Sequence, residues 1–469
     1  MPSTQLAIIG AGPGGYTAAF RAADLGLTVT LIDENPSLGG TCLNRGCIPS
    51  KALLHAAMVI REAADAKAMG LEFAAPSLDV DKLRAWKDGI VTRLTTGLAQ
   101  LAKARNVTLI RGRAKFLNPK QLEIRNPDGT MQLLATDKVI IATGARPAAL
   151  PFLPPSPLVW DSTTALSLPC VPASLLIIGG GYIGLELGTV YAALGSKVTV
   201  VEALPSLLSS ADKDLADIVT RRLRRTFSKI LCGTRVNAAE ECAEGIRVTF
   251  QDDKGQTSQE TFANILSCVG RVPDTTGLGL ETTSIVVTDK GTIDVDAQRR
   301  TREHDIFAIG DITAGPMLAH KASSEAKVAA DAAADYGTSF EPKAIPCVVF
   351  TDPELAWCGV TEQEARAKGL DITVSKFPWG ASGRAMTLGR ADGMTKVIAD
   401  TRTGRILGVG IAGIHAGELI AQGALAIETG MKAQDLELTI QPHPTLSETL
   451  METAEGLFSH PIHIIKEKS

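Results

Sequence analysis

Aromatic residues are scarce in this sequence. Phe, Trp and Tyr together make up 4% of 469 residues. So few rings offer few platforms on which nucleic-acid bases stack. An excess of basic charge is also missing: 47 Lys and Arg stand against 51 Asp and Glu, for a formal net charge of -4. Nucleic-acid binders normally carry a basic patch or tail, so that class is excluded. No apolar run reaches the roughly 18 residues needed to span a bilayer. The longest alanine-rich stretch, EAKVAADAAAD, is charged throughout and predicts a soluble helix. The first strand-like run, QLAIIG, begins at Gln5, which leaves no room for a leader and points to the cytoplasm. Eight cysteines are too few and too scattered for a secreted disulfide framework. Cys170, Cys232, Cys242, Cys268, Cys347 and Cys358 read as small buried hydrophobes.

What is present is glycine, in a repeated pattern. The segment QLAIIGAGPGGYTAAFRAADLGLTVTLID reads as strand, turn, helix and strand, with Gly10, Gly12 and Gly15 in G-x-G-x-x-G register. In that motif the first glycine permits a tight turn, the second lets a pyrophosphate approach the backbone, and the third lets helix and strand pack closely. The helix N-terminus then offers free N–H groups to the phosphates. Asp33 ends the second strand, 23 residues after Gly10, where a carboxylate accepts hydrogen bonds from a ribose. The segment SLLIIGGGYIGLELGTVYAALGSKVTVVE repeats the plan with Gly179, Gly181 and Gly184, and Glu202 again follows the first glycine by 23 residues. A single motif of this kind is weak evidence. Two in the same context predict two dinucleotide sites. Glu202, with no basic residue in the following ALPSLL, predicts NAD rather than NADP at the second site.

Three further strand-and-glycine segments follow: IIATGARP, ILSCVGRVPD and IFAIGDITAG. The last reads as a strand ending in Gly310-Asp311, and open α/β sheets bind ligands at such strand ends. Asp311 is thus a candidate for a sugar-alcohol or ribityl hydroxyl. Beyond about residue 345 the texture changes: GMTKVIADTRTGRILGVGIAG predicts a hairpin turning at TRTG, and AGELIAQGALAIETG an amphipathic helix stopped by glycine. The expected architecture is α/β, with two Rossmann-like dinucleotide-binding domains and a C-terminal α+β domain. The predicted bounds are 1–145, completed by 271–343, for the first domain, 146–270 for the second and 344–469 for the third.

The chemistry is expected in GGTCLNRGCIPSK, where Cys42 and Cys47 precede Lys51. A disulfide needs Cα atoms roughly 4.4–6.8 Å apart. An extended run between them would span roughly 17 Å, so the segment must curl, most simply as a distorted helical turn. A structural staple over so short a loop adds little in a reducing compartment. A metal site lacks further ligands, although His55 is near in sequence. A redox-active pair beside a flavin accounts for the glycines and for a lysine that stabilises a thiolate. A proton carrier is then needed, and His443 stands in QPHPTLSE between two prolines, five residues before Glu448.

In this order GGTCLNRGCIPSK, ATGARP, GGGYIGLELG, VGRVPDTTGLGLE, FAIGDITAGPMLAHKA and HPTLSE resemble the flavoprotein disulfide reductases, and among them the dihydrolipoamide dehydrogenases, over essentially the whole chain. The resemblance implies FAD at the first site and NAD at the second, and a homodimer formed through the C-terminal domain. It implies that Cys42 exchanges with dihydrolipoamide, that Cys47 faces the flavin, and that His443, held by Glu448, serves the cysteines of the other subunit. It pairs Lys51 with Glu186 near the flavin. Gly40, Thr41, Ala114, Thr143, Gly144, Asp311 and Met317, Leu318, Ala319 and His320 are assigned to FAD in the same way, and Tyr182, Ile183, Glu186 and Gly270 join the second glycine motif around NAD. The implied partners are lipoylated domains of 2-oxo acid dehydrogenase complexes, or the lipoylated carrier of glycine cleavage. Neither nucleic acid nor membrane is expected. Two positions depart from the pattern. Asp33 replaces a glutamate, and Arg45 lies between the cysteines, where a cation would be expected to lower a thiolate pKa. The competing readings are another FAD-dependent disulfide reductase, of the glutathione or mercuric type, and a flavoprotein thiol sensor without turnover.

Overall fold

A computed structural model describes residues 1–458 and 461–464. Strand Ser3–Ile9 lies at the centre of the first sheet, parallel to Val29–Asp33 on one side and to Met131–Ile141 on the other. Thr108–Arg111 extends the sheet beyond Val29–Asp33, and Ile306–Ala308 pairs with Met131–Ile141. These strands are continuous apolar runs because helices cover both faces. Leu6, Ile8, Leu31, Ile140 and Phe307 are all at most 1% exposed, and each contributes about 2 kcal/mol by leaving water. The eleven-residue strand Met131–Ile141 serves twice. Its first half closes an antiparallel meander with Arg113–Asn118 and Gln121–Arg125, and its second half completes the parallel sheet.

The second sheet repeats this order. Ser174–Ile178 is flanked by Lys197–Glu202 and Asn264–Ser267, with Lys229–Cys232 and Val159–Trp160 at the edges, all parallel. An antiparallel meander, Thr234–Cys242, Gly245–Asp252 and Thr257–Phe262, is inserted before the last central strand, as in the first sheet. The short strands Ala145–Pro147 and Arg271–Pro273 pair with each other and tie the two units together. The third sheet is antiparallel, in the order Cys347–Val349, Glu354–Gly359, Ile406–Gly413, Met394–Asp400 and Ile372–Pro378. The hairpin expected at TRTG joins Met394–Asp400 to Ile406–Gly413. Helix Ala416–Thr429 ends at Gly430 in the left-handed conformation.

Two expectations need correcting. The strand before Asp311 stops at Ala308, and Gly310–Ile312 is a 3-10 turn, so Asp311 is presented by a turn rather than by the strand itself. Of the six scattered cysteines only Cys358 is buried. Cys170 is exposed, and the others are intermediate, because they lie at strand ends and edges rather than in the cores. Among the described residues no helix is long and apolar enough to cross a membrane.

Candidate active site

The two glycine turns have the same construction. Gly10 and Gly179 have φ of +101° and +107°, in the region that disfavours side chains, and a Cβ on either would strike the carbonyl of Ala142 or Cys268. A Cβ on Gly15 would collide with Gly10 O, and one on Gly184 would lie 2.5 Å from Gly179 O. The middle glycines differ. A Cβ on Gly12 would meet only Gly40 Cα, at 3.9 Å, and one on Gly181 would meet nothing within 4 Å. These two residues cap the N-termini of helices Pro13–Asp24 and Tyr182–Leu194, whose first N–H groups face the same open ground.

The strand-end carboxylates are held alike. Asp33 accepts from Ala11 N–H at 2.6 Å and from Asn35 N–H at 2.8 Å. Glu202 accepts from Gly180 N–H at 2.6 Å and from Leu204 N–H at 2.8 Å. The shorter side chain of Asp33 therefore reaches its turn as closely as Glu202 does. A cleft of about 290 Å³ opens beside Asp33, lined also by Asn35, Ser37, Thr95, Ile110 and Arg111.

The cysteines lie where one helix gives way to another. Helix Gly40–Arg45 carries Cys42, and helix Cys47–Asp65 begins with Cys47. Gly46 between them has φ -148° and ψ -116°, and a Cβ there would stand 2.8 Å from Thr41 O. The curl is thus a helix break that only glycine fits. Both cysteines are free thiols. A hydrogen bond between them holds the proton on Cys42, whose pKa it raises together with burial, and lowers Cys47 to about 7. The charge of Lys51 also favours the Cys47 thiolate, whereas partial desolvation and Glu186 oppose it. A thiolate at the first residue of a 19-residue helix also faces the positive end of the helix dipole. Arg45 is exposed on the preceding helix, and the cation acting on Cys47 is Lys51.

Lys51 Nζ stands 2.7 Å from Glu186 Oε2, and Glu186 Oε1 accepts from Phe350 N–H at 3.0 Å. Lys51 also lies over the Phe350 ring, 4.4 Å from its centroid. Glu186 is on the second dinucleotide helix, so its pairing with Lys51 joins both halves of the site. Tyr182, one turn earlier, is pushed up to about 12 by burial and lies within the electrostatic reach of Arg271, Asp311, Glu186 and Cys47.

The Asp311 carboxylate accepts no hydrogen bond from the described residues. Burial raises its pKa, against the pull of Arg271 and Lys321. The turn beneath it is braced by Glu325, fully buried, which accepts from Gly310 N–H at 2.6 Å and pairs with Lys321 and Arg299 at 3.1 Å each. Met317 and Leu318 lead into helix Ala319–Ala333, and His320 Nε2 lies 2.8 Å from Pro346 O. Thr143 donates to Asp274 O at 2.7 Å, and Gly144 O accepts from Asp274 N–H at 2.9 Å. Ala114 is buried in the first meander, paired with Ile124. Ile183 follows Tyr182 on its helix. Gly270, at φ +123°, leads into the strand that ties the units together.

His443 Nδ1 lies 2.8 Å from Glu448 Oε1, and Glu448 Oε2 accepts from Thr445 N–H at 2.7 Å. The histidine is 79% exposed, with Nε2 turned away from its carboxylate partner. Within one chain no contact among the described residues joins it to Cys42 or Cys47. Sequence reading missed Phe350, Arg271, Lys321 and Glu325, because no local spacing marks residues whose partners come from distant parts of the chain or that act from inside a helix. Among the described residues no cluster of three or more His, Cys, Asp or Glu is placed to hold a metal.

Residues 4–326 match the family model described as pyridine nucleotide-disulphide oxidoreductase, and residues 345–454 match its dimerisation domain. The chain is 46% identical over 452 residues to a Vibrio cholerae protein named dihydrolipoyl dehydrogenase, covering 96% of this chain and 95% of that one. It is 45% identical over 467 residues to a protein of the same name from Thermus scotoductus, covering 99% of this chain and 100% of that one. Among solved structures, LpdA from Mycobacterium tuberculosis superposes with a TM-score of 0.89 at 26% identity, covering 97% of this chain and 100% of that chain. The HOCl-induced flavoprotein disulfide reductase RclA from Escherichia coli superposes with a TM-score of 0.85 at 30% identity, covering 96% of this chain and 99% of that chain. With its two glycine turns and the cysteine pair between them, the chain belongs to the pyridine nucleotide-disulphide oxidoreductase family.

Proposed function

We propose that this chain reoxidises protein-bound dihydrolipoyl groups with NAD, through a disulfide formed by Cys42 and Cys47. The observation that carries the reading is the Cys47 thiol, lowered to about 7 between Cys42 and Lys51 and joined through Glu186 to the second glycine turn. FAD fits the first turn. Gly12 leaves backbone open to a pyrophosphate, Gly40 packs so closely on Gly12 that a Cβ there would lie 2.5 Å from Gly12 Cα, Asp33 stands at the strand end beside a cleft, and the half-buried Asp311 carboxylate lacks a protein donor among the described residues. NAD fits the second, where Gly181 is open and Glu202 suits a free ribose hydroxyl better than a phosphate.

One thiolate of the dihydrolipoyl group attacks Cys42 Sγ in the Cys42–Cys47 disulfide. A mixed disulfide forms, and Cys47 leaves as a thiolate beside Lys51. The second lipoyl thiol gives its proton to His443 Nε2 and displaces Cys42, and the lipoyl group departs as its cyclic disulfide. Cys42 takes up a proton, leaving the arrangement described above, with the proton on Cys42 and the charge on Cys47. Glu448 holds the imidazole so that Nε2 stays available. Bound FAD supplies two-electron transfer from the reduced pair to NAD as hydride. Because His443 is exposed and is flanked by Leu438 and Ile440, 79% and 94% exposed, we place a second copy of the chain over this face. Each site then combines the cysteines of one subunit with His443 of the partner subunit. The lipoyl carrier is a domain of a 2-oxo acid dehydrogenase complex or of glycine cleavage.

The test is a purified sample with a flavin absorption spectrum, assayed with dihydrolipoamide and NAD against NADP. NADH formation that is abolished in Cys42→Ser supports the proposal. Activity only with NADPH and glutathione disulfide, or a flavin spectrum without turnover, refutes it.

A further inference from the structure

The segment Phe350–Pro353 belongs to the C-terminal unit, yet it touches the redox centre and both other units. Phe350 N–H donates to Glu186, and the Phe350 ring lies beneath Lys51. Two residues on, Asp352 is buried, with 8% of its side chain exposed, and faces three arginines. Arg61 on the cysteine helix is 2.7 Å away, Arg222 in helix Lys213–Thr226 is 3.5 Å away, and Arg390 makes a close contact. The arginine charges are balanced by Asp65, 2.8 Å from Arg222, and Asp392, 3.3 Å from Arg390, so the cluster is neutral and leaves no anion site. The cysteine helix is therefore held twice by one short segment. Lys51 near its start rests on Phe350, and Arg61, about 15 Å further along the helix, is bound to Asp352.

We propose that Phe350 is a positioning residue of the redox centre, whose N–H and ring face hold Glu186 and Lys51 in place beside Cys47, with Asp352 anchoring Phe350 to the cysteine helix. A buried aspartate left with one arginine would be adequately paired. Three arginines drawn from three parts of the chain fix where the segment sits. An aromatic face holds a lysine ammonium without competing for its charge, so Lys51 stays fixed while its field remains available to the thiolate. Cys47 also faces Cys42, Glu186, Tyr16 and Tyr182, and among the described hydrogen bonds and ring contacts only Glu186 of these is joined to Phe350.

The inference builds on the reading of Cys47 as a redox thiolate, but its test needs no turnover, so either can fail alone. Holoenzyme carrying Cys42→Ser is alkylated with iodoacetamide across pH, and modification is followed by mass spectrometry on the peptide containing Cys47. Adding Phe350→Leu is expected to move the midpoint upward and slow alkylation at neutral pH by about threefold. Phe350→Trp, which keeps a ring face, is expected to restore both. Arg61→Met, which loosens the anchor and spares Phe350, shifts the midpoint in the same direction by less, and it decides the matter if Phe350→Leu does not fold. An unmoved midpoint in Phe350→Leu with a lowered thermal midpoint overturns the proposal, as does a Trp variant shifted as far as Leu. With Arg61→Met as the only folded variant, an unmoved midpoint does the same.

Discussion

At the scale of single residues, the proposed chemistry turns on two proton positions. Cys47 is held near 7, so its thiolate is fully formed above that pH and is lost as pH falls through it. Reaction of the reduced pair with electrophiles is therefore expected to drop about tenfold per unit below pH 7, as read by alkylation of the Cys47 peptide. His443→Gln removes the base and keeps the cysteines, so kcat with dihydrolipoamide is expected to fall by about 10²–10⁴ while the Cys47 titration stays in place. Steady-state rates beside the alkylation profile check both. The curl that brings the cysteines onto adjoining helices and the His443–Glu448 contact were legible in the sequence because near neighbours mark them: glycines, a lysine and a following glutamate. Phe350 was invisible, because its partner Glu186 lies 164 positions away and only the assembled fold brings them together.

At the scale of elements, the glycine turns make a contrast that substitution can expose. Gly15→Ala puts a methyl into Gly10 O and is expected to cost more than about 3 kcal/mol, giving protein without flavin or no folded protein. Gly181→Ala meets no protein atom within 4 Å, so thermal stability is expected to stay within about 0.5 kcal/mol while KM for NAD rises about tenfold. Thermal melts and NAD titrations distinguish the two. The strand–turn–helix–strand units and the C-terminal hairpin were legible because period, glycine and strand-end acid agree locally. The turn that presents Asp311 was not, because the strand stops where Glu325 takes Gly310 N–H, and that bond comes from the following helix. The two inserted meanders were not read either, since an eleven-residue strand shared by two kinds of pairing has no sequence signature of its own.

At the scale of the whole molecule, in the proposed reaction the two dinucleotide units bring electrons from the cysteines to NAD, and the C-terminal unit is expected to carry His443 to a second copy. Co-expressing Cys42→Ser with His443→Gln therefore has a defined outcome. Each variant alone is inactive or nearly so. The mixed dimer contains one site with wild-type cysteines and wild-type His443, and is expected to show about half the wild-type turnover per dimer. No recovery in mixed dimers of verified composition would place the histidine and the cysteines in the same chain. The central claim, that electrons leave the lipoyl dithiol through this cysteine pair, is tested most directly by an anaerobic single turnover. Oxidised holoenzyme receives one equivalent of dihydrolipoamide, is alkylated, and is compared with a sample given NAD before alkylation. The account predicts that Cys42 and Cys47 both become alkylatable in the first sample, and that in the second they return to a disulfide as one equivalent of NADH forms. NADH formation with the pair unreactive throughout, or a reduced pair that NAD cannot reoxidise, would contradict it.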